Sequence, residues 1–287
     1  MAVDVTALEP TRFETLRARA AGTRGYVAIG LVVAFILLLV VLAPEVTPYG
    51  SEQVLDEQLA PPSWQHPFGT DINQMDVLSR VLAAARIDVG IAFISTIAAL
   101  ALGLPLGILL GYFSGVVTQL FLRVLDMVQA FPVLVLALAI VAVTGAGADN
   151  VVYAQVFVAT PIMVRVVRAV VLRLREERFV EAAVAAGNSD LRLLVHHVTP
   201  HVLPTALIQA TILMAGALIL TTGLSFIGVG VRPPTAEWGS MVGLGSKDIA
   251  NGQWWTIVFP GVAIAISVFS FNLLGQLLRR QFPGAGH

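Results

Sequence analysis

Residues 89–122 read VGIAFISTIAALALGLPLGILLGYFSGVVTQLFL, a run of 34 residues without a charged side chain between Asp88 and Arg123. A membrane-spanning helix needs about 20 predominantly apolar residues, so this run holds one helix and a turn, which Gly111 to Gly115 mark. The composition agrees, since 57% of the 287 residues are hydrophobic and 12% are charged, against about 25% charged in soluble domains. The bilayer is therefore the expected solvent of the chain.

Five further charge-free runs bring the number to six. Their lengths are 20 residues after Arg24, 22 after Asp126, 15 after Asp149, 39 after Arg192 and 30 after Asp248. The sequence thus predicts an all-α polytopic membrane protein with six transmembrane helices, placed at 26–43, 89–112, 122–144, 150–171, 204–227 and 257–277. The fifth begins late because Pro200 and Pro204 start its run. A signal-peptide core is the alternative for the first run, disfavoured by Pro44 and by the long segment before it.

The basic residues fix the expected orientation. With the N-terminus inside, 13 Arg lie on the cytoplasmic side, and three Arg and the single lysine, Lys247, lie outside. Arg and Lys favour the cytoplasmic side, so both termini are expected there, with a cytoplasmic segment 1–25, a permease-like body 26–282 and a tail 283–287. Segments 44–88 and 229–256 are then external, and 173–203 is a cytoplasmic loop.

Several chemistries are excluded or disfavoured by residue types. There is no cysteine, so disulfides and thiolate chemistry are absent. Lys247 lies in Gly-Ser-Lys-Asp, which is not the Gly-Lys-Ser/Thr of a P-loop, so no ATP site is expected in the chain. The net charge of -1 does not indicate nucleic-acid binding. We predict no enzyme activity, no cofactor and no metal in this chain.

Glycines recur every fourth residue at Gly103, Gly107 and Gly111, which places them on one face of a helix. Such a face lets two helices approach closely in lipid. The second helix could be one of the same chain or one of a neighbouring subunit, and the sequence leaves both open.

The loop 173–203 is mixed in charge and carries a helix-turn-helix pattern. Residues 176–186 contain neither Gly nor Pro, and Gly187-Asn188-Ser189-Asp190 is typical of a helix stop followed by a new N-cap. An ordered helix pair outside the membrane suits a docking surface better than a simple connector.

This loop resembles the EAA loop of permease subunits of bacterial ABC importers. Glu181, Ala182 and Ala183 supply the tripeptide, Gly187 follows at the family's spacing, and Pro200 closes the pattern after His197. In that family the loop couples the permease to its ATPases. The resemblance therefore implies a type I ABC importer permease fold and a coupling role for these six residues.

Other segments resemble the dipeptide and oligopeptide permeases of the C type. They are His66 to Asp71, Asp76 to Arg80, Leu224 to Val231, Pro233-Pro234, Trp238-Gly239, Phe259 to Gly261 and Phe271 to Gly275. One departure is Gln74-Met75, where the family usually has Gly-Arg. The resemblance implies a second homologous permease, two cytoplasmic ABC ATPases that hold ATP and magnesium, and an extracytoplasmic peptide-binding protein. It assigns no substrate-binding residue.

Alternative functions follow from single features. Related permeases carry nickel or other small solutes. An ion-driven secondary transporter usually has ionisable groups near the bilayer midplane, and five of the six predicted helices have none there. His196, His197 and His201 could ligate a metal, although Pro200 interrupts their helical spacing. An intramembrane protease would need a His base on a later helix, and the last helix has none.

Overall fold

The computed structural model describes residues 12–41 and 43–282. In these ranges it contains ten α-helices and no β-strand. The helices are α1 (Arg12–Val41), α2 (Val77–Tyr112), α3 (Val116–Gln129), α4 (Val133–Thr144), α5 (Ala148–Leu174), α6 (Arg178–Ala185), α7 (Asp190–Leu193), α8 (Thr199–Phe226), α9 (Trp238–Gly245) and α10 (Trp255–Gln281). The predicted all-α membrane fold is confirmed.

Four helical runs of the described residues are long and apolar enough to cross a membrane: α2, α5, Asp190–Phe226 and α10. The pair α3 and α4 forms a fifth if it counts as one bent span. In α1 the apolar stretch Gly25–Ile36 is shorter. The count of six therefore stays a prediction.

The predicted third helix, 122–144, is wrong as a single helix. It consists of α3 and α4, which meet at an angle of 89°. Pro132 lies at the break as the N-cap of α4. Proline has no backbone N–H and disfavours helical geometry in the residue before it, so the helix ends before Pro132 and starts again after it. α3 also begins earlier than predicted, at Val116.

Two other predicted helices begin too late. α2 starts at Val77 instead of 89, because the Asp76 side chain accepts hydrogen bonds from the Ser79 backbone N–H (2.8 Å) and hydroxyl (2.7 Å) and so caps the helix. The helix predicted from 204 runs back to Asp190 through a π-helical turn, Leu194–Val198. Pro200 lies in the first turn of α8, directly after the π-helical turn, and proline is tolerated in the first turn of a helix.

The glycine face of α2 packs against α5 of the same chain. A Cβ added to Gly103, Gly107 or Gly111 would lie 2.7, 2.6 or 2.7 Å from a Cβ of α5, those of Met163, Val167 and Val171. Such distances are far below van der Waals contact, so only glycine permits this approach. The structure thus decides between the two possible partners of the face in favour of the same chain.

A buried polar network joins α2, α5 and α8. The Ser95 hydroxyl lies 2.6 Å from the Gln155 amide oxygen, and the Gln155 amide nitrogen donates to the Thr221 hydroxyl at 2.6 Å. The same nitrogen donates to the Ala217 carbonyl at 2.9 Å. Unsatisfied polar groups are costly where water is absent, so these paired side chains hold the three helices in one register.

At the end of the bundle where α2 begins, segments 44–76 and 227–254 fold together, and we call them the cap. Arg80, 2% exposed, donates to the carbonyls of Ser51 (2.9 Å) and Pro234 (3.2 Å) and so joins the two segments. His66 and Asp76 are hydrogen-bonded at 2.9 Å. Gln74, at the family's glycine position, has φ +62°, a conformation that glycine adopts more readily.

Candidate functional site

The coupling loop (residues 173–203) contains the predicted first helix, α6, and the predicted turn. The predicted second short helix is not separate, because α7 continues through the π-helical turn into α8. After α6, Gly187 has φ +81° and a Cβ there would meet no atom within 4 Å. The requirement for glycine is therefore one of backbone conformation and not of space. The turn is held by the Asn188 side chain, whose amide donates to the Ala183 carbonyl at 2.9 Å.

The three residues of the EAA tripeptide point to different surroundings. Ala183 is buried in a small cluster with Val180 and Leu193, which packs α6 onto α7. Glu181 and Ala182 are exposed. Within the described residues Glu181 takes part in no salt bridge, so its charge remains available for an external group.

A cleft of about 540 Å³ opens beside α6. Arg175 and Glu181 supply its charged lining, and Val180, Val184, Ala185 and Tyr112 supply the rest. The combination of opposite charges and apolar side chains suits a protein surface that inserts a side chain here.

His197 and Pro200 lie at the base of the loop, apart from the turn. His197 is in the π-helical turn, and its carbonyl is 2.7 Å from a ring nitrogen of His201. The His201 ring stacks on Phe179 at 4.8 Å, which ties α6 to α8. No group of three potential metal ligands occurs anywhere in the described part of the chain.

Sequence reasoning missed the residues that attach the loop to the bundle. Tyr112, the last residue of α2, donates its hydroxyl hydrogen bond to Asp190 at 2.9 Å, and its carbonyl accepts from Arg175 at 3.2 Å. Its ring lies against the cluster of Val180, Ala183 and Leu193. The sequence marked Tyr112 only as part of a helix end, because nothing local indicates which loop a terminal side chain reaches.

At the opposite end, the cap encloses two acids. Asp88 and Glu237 are both 0% exposed, and Asp88 accepts from the backbone N–H of Trp238, the residue after Glu237, at 2.9 Å. Glu237 accepts from the backbone N–H groups of Gly239 (2.9 Å) and Ser240 (2.6 Å) at the start of α9. Burial raises the pKa of the Glu237 carboxyl above its ordinary value, because the charged form loses its hydration.

The long helices at the loop end carry one ion pair beyond the predicted site. Arg165 of α5 pairs with Asp126 of α3, and both side chains are about half exposed. Arg168 donates to the Leu110 carbonyl at 3.3 Å. At this end of the bundle, Arg165 therefore pairs with an acid and Arg168 with a backbone carbonyl.

Several known proteins similar to this chain are named as permeases for peptides or glutathione. A dipeptide transport system permease protein of Alkalihalophilus pseudofirmus is 35% identical over 87% of this chain and 82% of the relative. A di/tripeptide transport system permease protein of Pseudomonas aeruginosa is 38% identical over 85% and 84%. A glutathione transport system permease protein of Escherichia coli is 36% identical over 85% and 82%.

A solved structure and a family model agree with these relatives. The structure, an inward-facing form of the MetNI methionine ABC transporter, matches with a TM-score of 0.58 at 16% identity, covering 70% of this chain and 96% of that one. It shows the permease fold. The family model matches residues 103–283, the part that contains the coupling loop. The chain belongs to the family of inner membrane components of binding-protein-dependent transport systems.

Proposed function

We propose that this chain is the membrane permease subunit of an ATP-driven importer of di- or oligopeptides. It would form the pathway together with a second homologous permease. Two ABC ATPases would bind the coupling loop and hold ATP and magnesium, and an extracytoplasmic peptide-binding protein would deliver the substrate to the other side. The chain itself supplies no catalytic group in this proposal.

The observation that carries the proposal is the surface of the coupling loop. Val184, Leu191 and Val195 are 54%, 73% and 52% exposed, in an ordered helical segment next to the charged cleft. Exposed apolar side chains grouped in this way mark an interaction site. A solvated connector needs neither the order nor the apolar surface, whereas an ATPase subunit would cover both.

The orientation follows from the distribution of charge. Thirteen of the 17 basic residues lie on the side of the coupling loop when both termini are placed inside. This bias favours the cytoplasm for that side, which is where ATP is available. The cap then faces outward and is the surface for the binding protein.

Peptides are the favoured substrate because the relatives described above are named for dipeptides, di- and tripeptides and glutathione. Nickel or another small solute remains the alternative cargo, and uptake assays with labelled dipeptides and with nickel distinguish the two.

A permease that alternates between two conformations accounts for the coupling of ATP binding to transport. ATP binding would draw the two ATPases together, and the loop would pass this motion to the helices as a rigid-body rotation that opens the pathway outward. A ligand shifts an equilibrium only by its different affinity for the two states, so the ATPases must hold the loop more tightly in one of them.

The test is co-purification of the tagged chain, expressed with its neighbouring genes, followed by peptide uptake. A second permease and ATPases bearing P-loops should copurify. Glu181→Lys should lower uptake at least about tenfold while the protein still inserts, because it reverses the charge at the docking cleft.

Glu176→Lys is the matched control, since it makes the same charge change at an exposed loop position that does not line the cleft. Equal uptake by Glu181→Lys and the parent protein would contradict the docking role. A chain that purifies alone and transports a solute under an ion gradient would instead establish a secondary transporter.

A further inference from the structure

The chain attaches the coupling loop to the bundle at both ends, and side chains attach it to α2, where Ile108 shares a buried cluster with Leu194 and Val198. The chain connects it to α5 at one end and to α8 at the other. α2 has no chain connection to the loop, although its 36 residues extend about 54 Å at 1.5 Å per residue. Motion of the loop reaches α2 only through packing and hydrogen bonds.

Tyr112 is the residue of α2 that contacts both halves of the loop. Its ring packs against the cluster of Val180, Ala183 and Leu193 and lines the cleft beside α6, before the turn. Its hydroxyl donates to Asp190, the first residue of α7, after the turn. The two halves meet at Gly187, whose backbone has φ +81° and whose surroundings leave open space. A pivot at this turn is therefore restrained by Tyr112.

The carbonyl of Tyr112 is held as well. It accepts from Arg175, just beyond the end of α5. The preceding residue, Gly111, lies against Val171 in the glycine contact between α2 and α5. The end of α2 is thus fixed relative to α5, and the tyrosine side chain extends from this fixed point to the loop.

The opposite end of α2 reaches the cap. The Trp238 indole N–H donates to the Val81 carbonyl at 2.9 Å, and the Trp238 backbone N–H donates to Asp88 at 2.9 Å. One unbroken helix consequently connects the loop that would bind ATPases with the surface that would bind the substrate-delivery protein.

We infer that Tyr112 is a positioning residue that holds the α6–turn–α7 unit rigid against α2, so that a force on the loop moves α2 instead of bending the turn at Gly187. This role rests on the proposed function for its consequence in transport. The positioning itself is a property of this chain and can be measured without any partner.

The first experiment measures the loop in the purified full chain in lipid nanodiscs. The chain contains no cysteine, so Ser114→Cys and Ser189→Cys, both at exposed positions, can carry a pair of spin labels. Ser189 makes no side-chain capping bond, so its replacement removes no contact of α7. The distance distribution between the labels reports the position of the turn relative to the end of α2.

Tyr112→Phe keeps the ring in its cluster and removes only the hydroxyl. We expect it to broaden the distance distribution, and Asp190→Ala to broaden it equally. Asp190→Asn is the matched control, because its amide oxygen still accepts the hydrogen bond, and its distribution should equal that of the parent. The double variant Tyr112→Phe with Asp190→Ala should be no broader than either single variant. An unchanged distribution in Tyr112→Phe would overturn the inference.

The second experiment measures peptide uptake per ATP hydrolysed in the assembled importer. Tyr112→Phe should lower this ratio about threefold to tenfold, the change that the loss of one hydrogen bond brings, while the ATPases still bind. Asp190→Asn should retain the parent ratio. A parent ratio in Tyr112→Phe together with a broadened distribution would overturn the transmission role.

The two proposals fail in different ways. If the parent chain binds no ATPase, the proposed function and the transmission role are both wrong, and the spin-label widths still decide the positioning role. If the ATPases bind and uptake occurs but the widths are equal, only the inference about Tyr112 is wrong.

Discussion

The cap and the coupling loop lie at opposite ends of α2 and are built in opposite ways. In the cap, polar and charged side chains are buried and paired within the chain, as Arg80, Asp88 and Glu237 show. In the coupling loop, apolar side chains such as Leu191 are exposed, at 73%, and Glu181 is unpaired among the described salt bridges. The cap thus buries its charged groups inside the chain, whereas the loop leaves apolar and charged side chains exposed.

The largest expected effect tests the internal packing of the cap. Trp238 is 2% exposed and holds both the Val81 carbonyl and the Asp88 carboxyl. Trp238→Ala should lower the free energy of unfolding by about 3–5 kcal/mol, as measured by thermal unfolding in detergent. Trp64→Ala, at a tryptophan 102% exposed in the same cap, is the control and should change it little. Similar effects of the two variants would contradict the comparison.

A smaller effect on stability is expected at the glycine contact between α2 and α5, which lies between the cap and the coupling loop. Gly107→Val places side-chain atoms where Val167 already lies and should cost about 1–3 kcal/mol, measured in the same unfolding assay. Gly90→Ala on the same helix meets no atom within 4 Å and serves as the control. If Val167→Ala partly restores the Gly107→Val protein, the loss comes from this contact and not from the cap.

The smallest effect is a pH dependence confined to the cap. The raised pKa of Glu237 means that its folded form binds a proton more readily than its unfolded form. The stability that Glu237 contributes is therefore complete at pH values below the ordinary pKa of glutamate. It decreases as the pH rises through the raised pKa of the folded protein. The pKa of Asp71, also in the cap, is raised by burial and acts in the same direction.

We therefore expect a lower unfolding temperature at pH 8 than at pH 5.5. Asp88→Asn should reduce this difference, because asparagine cannot ionise and therefore adds no second negative charge to the buried surroundings of Glu237. Unfolding temperatures recorded at both pH values check the expectation. A steeper pH dependence in Asp88→Asn would contradict this expectation.

The sequence by itself determined the features that depend on neighbouring residues in the chain. Hydropathy identified a membrane protein, because a run of about 20 apolar residues is favourably placed in the hydrocarbon core of a bilayer. Gly187 and its neighbours gave the first helix and the turn of the coupling loop, because a positive φ strongly favours glycine. Spacing from Glu181 to Pro200 gave the family, which the comparisons confirm.

The tertiary structure decided the features that depend on distant partners. The glycine face was visible in the sequence, but its contact with Met163, Val167 and Val171 was not, because a periodic face does not name the helix that it meets. The burial of Asp88 against Glu237 and the reach of Tyr112 to Asp190 join residues far apart in the chain. Such contacts follow from how helices pack, and local pattern carries no information about them.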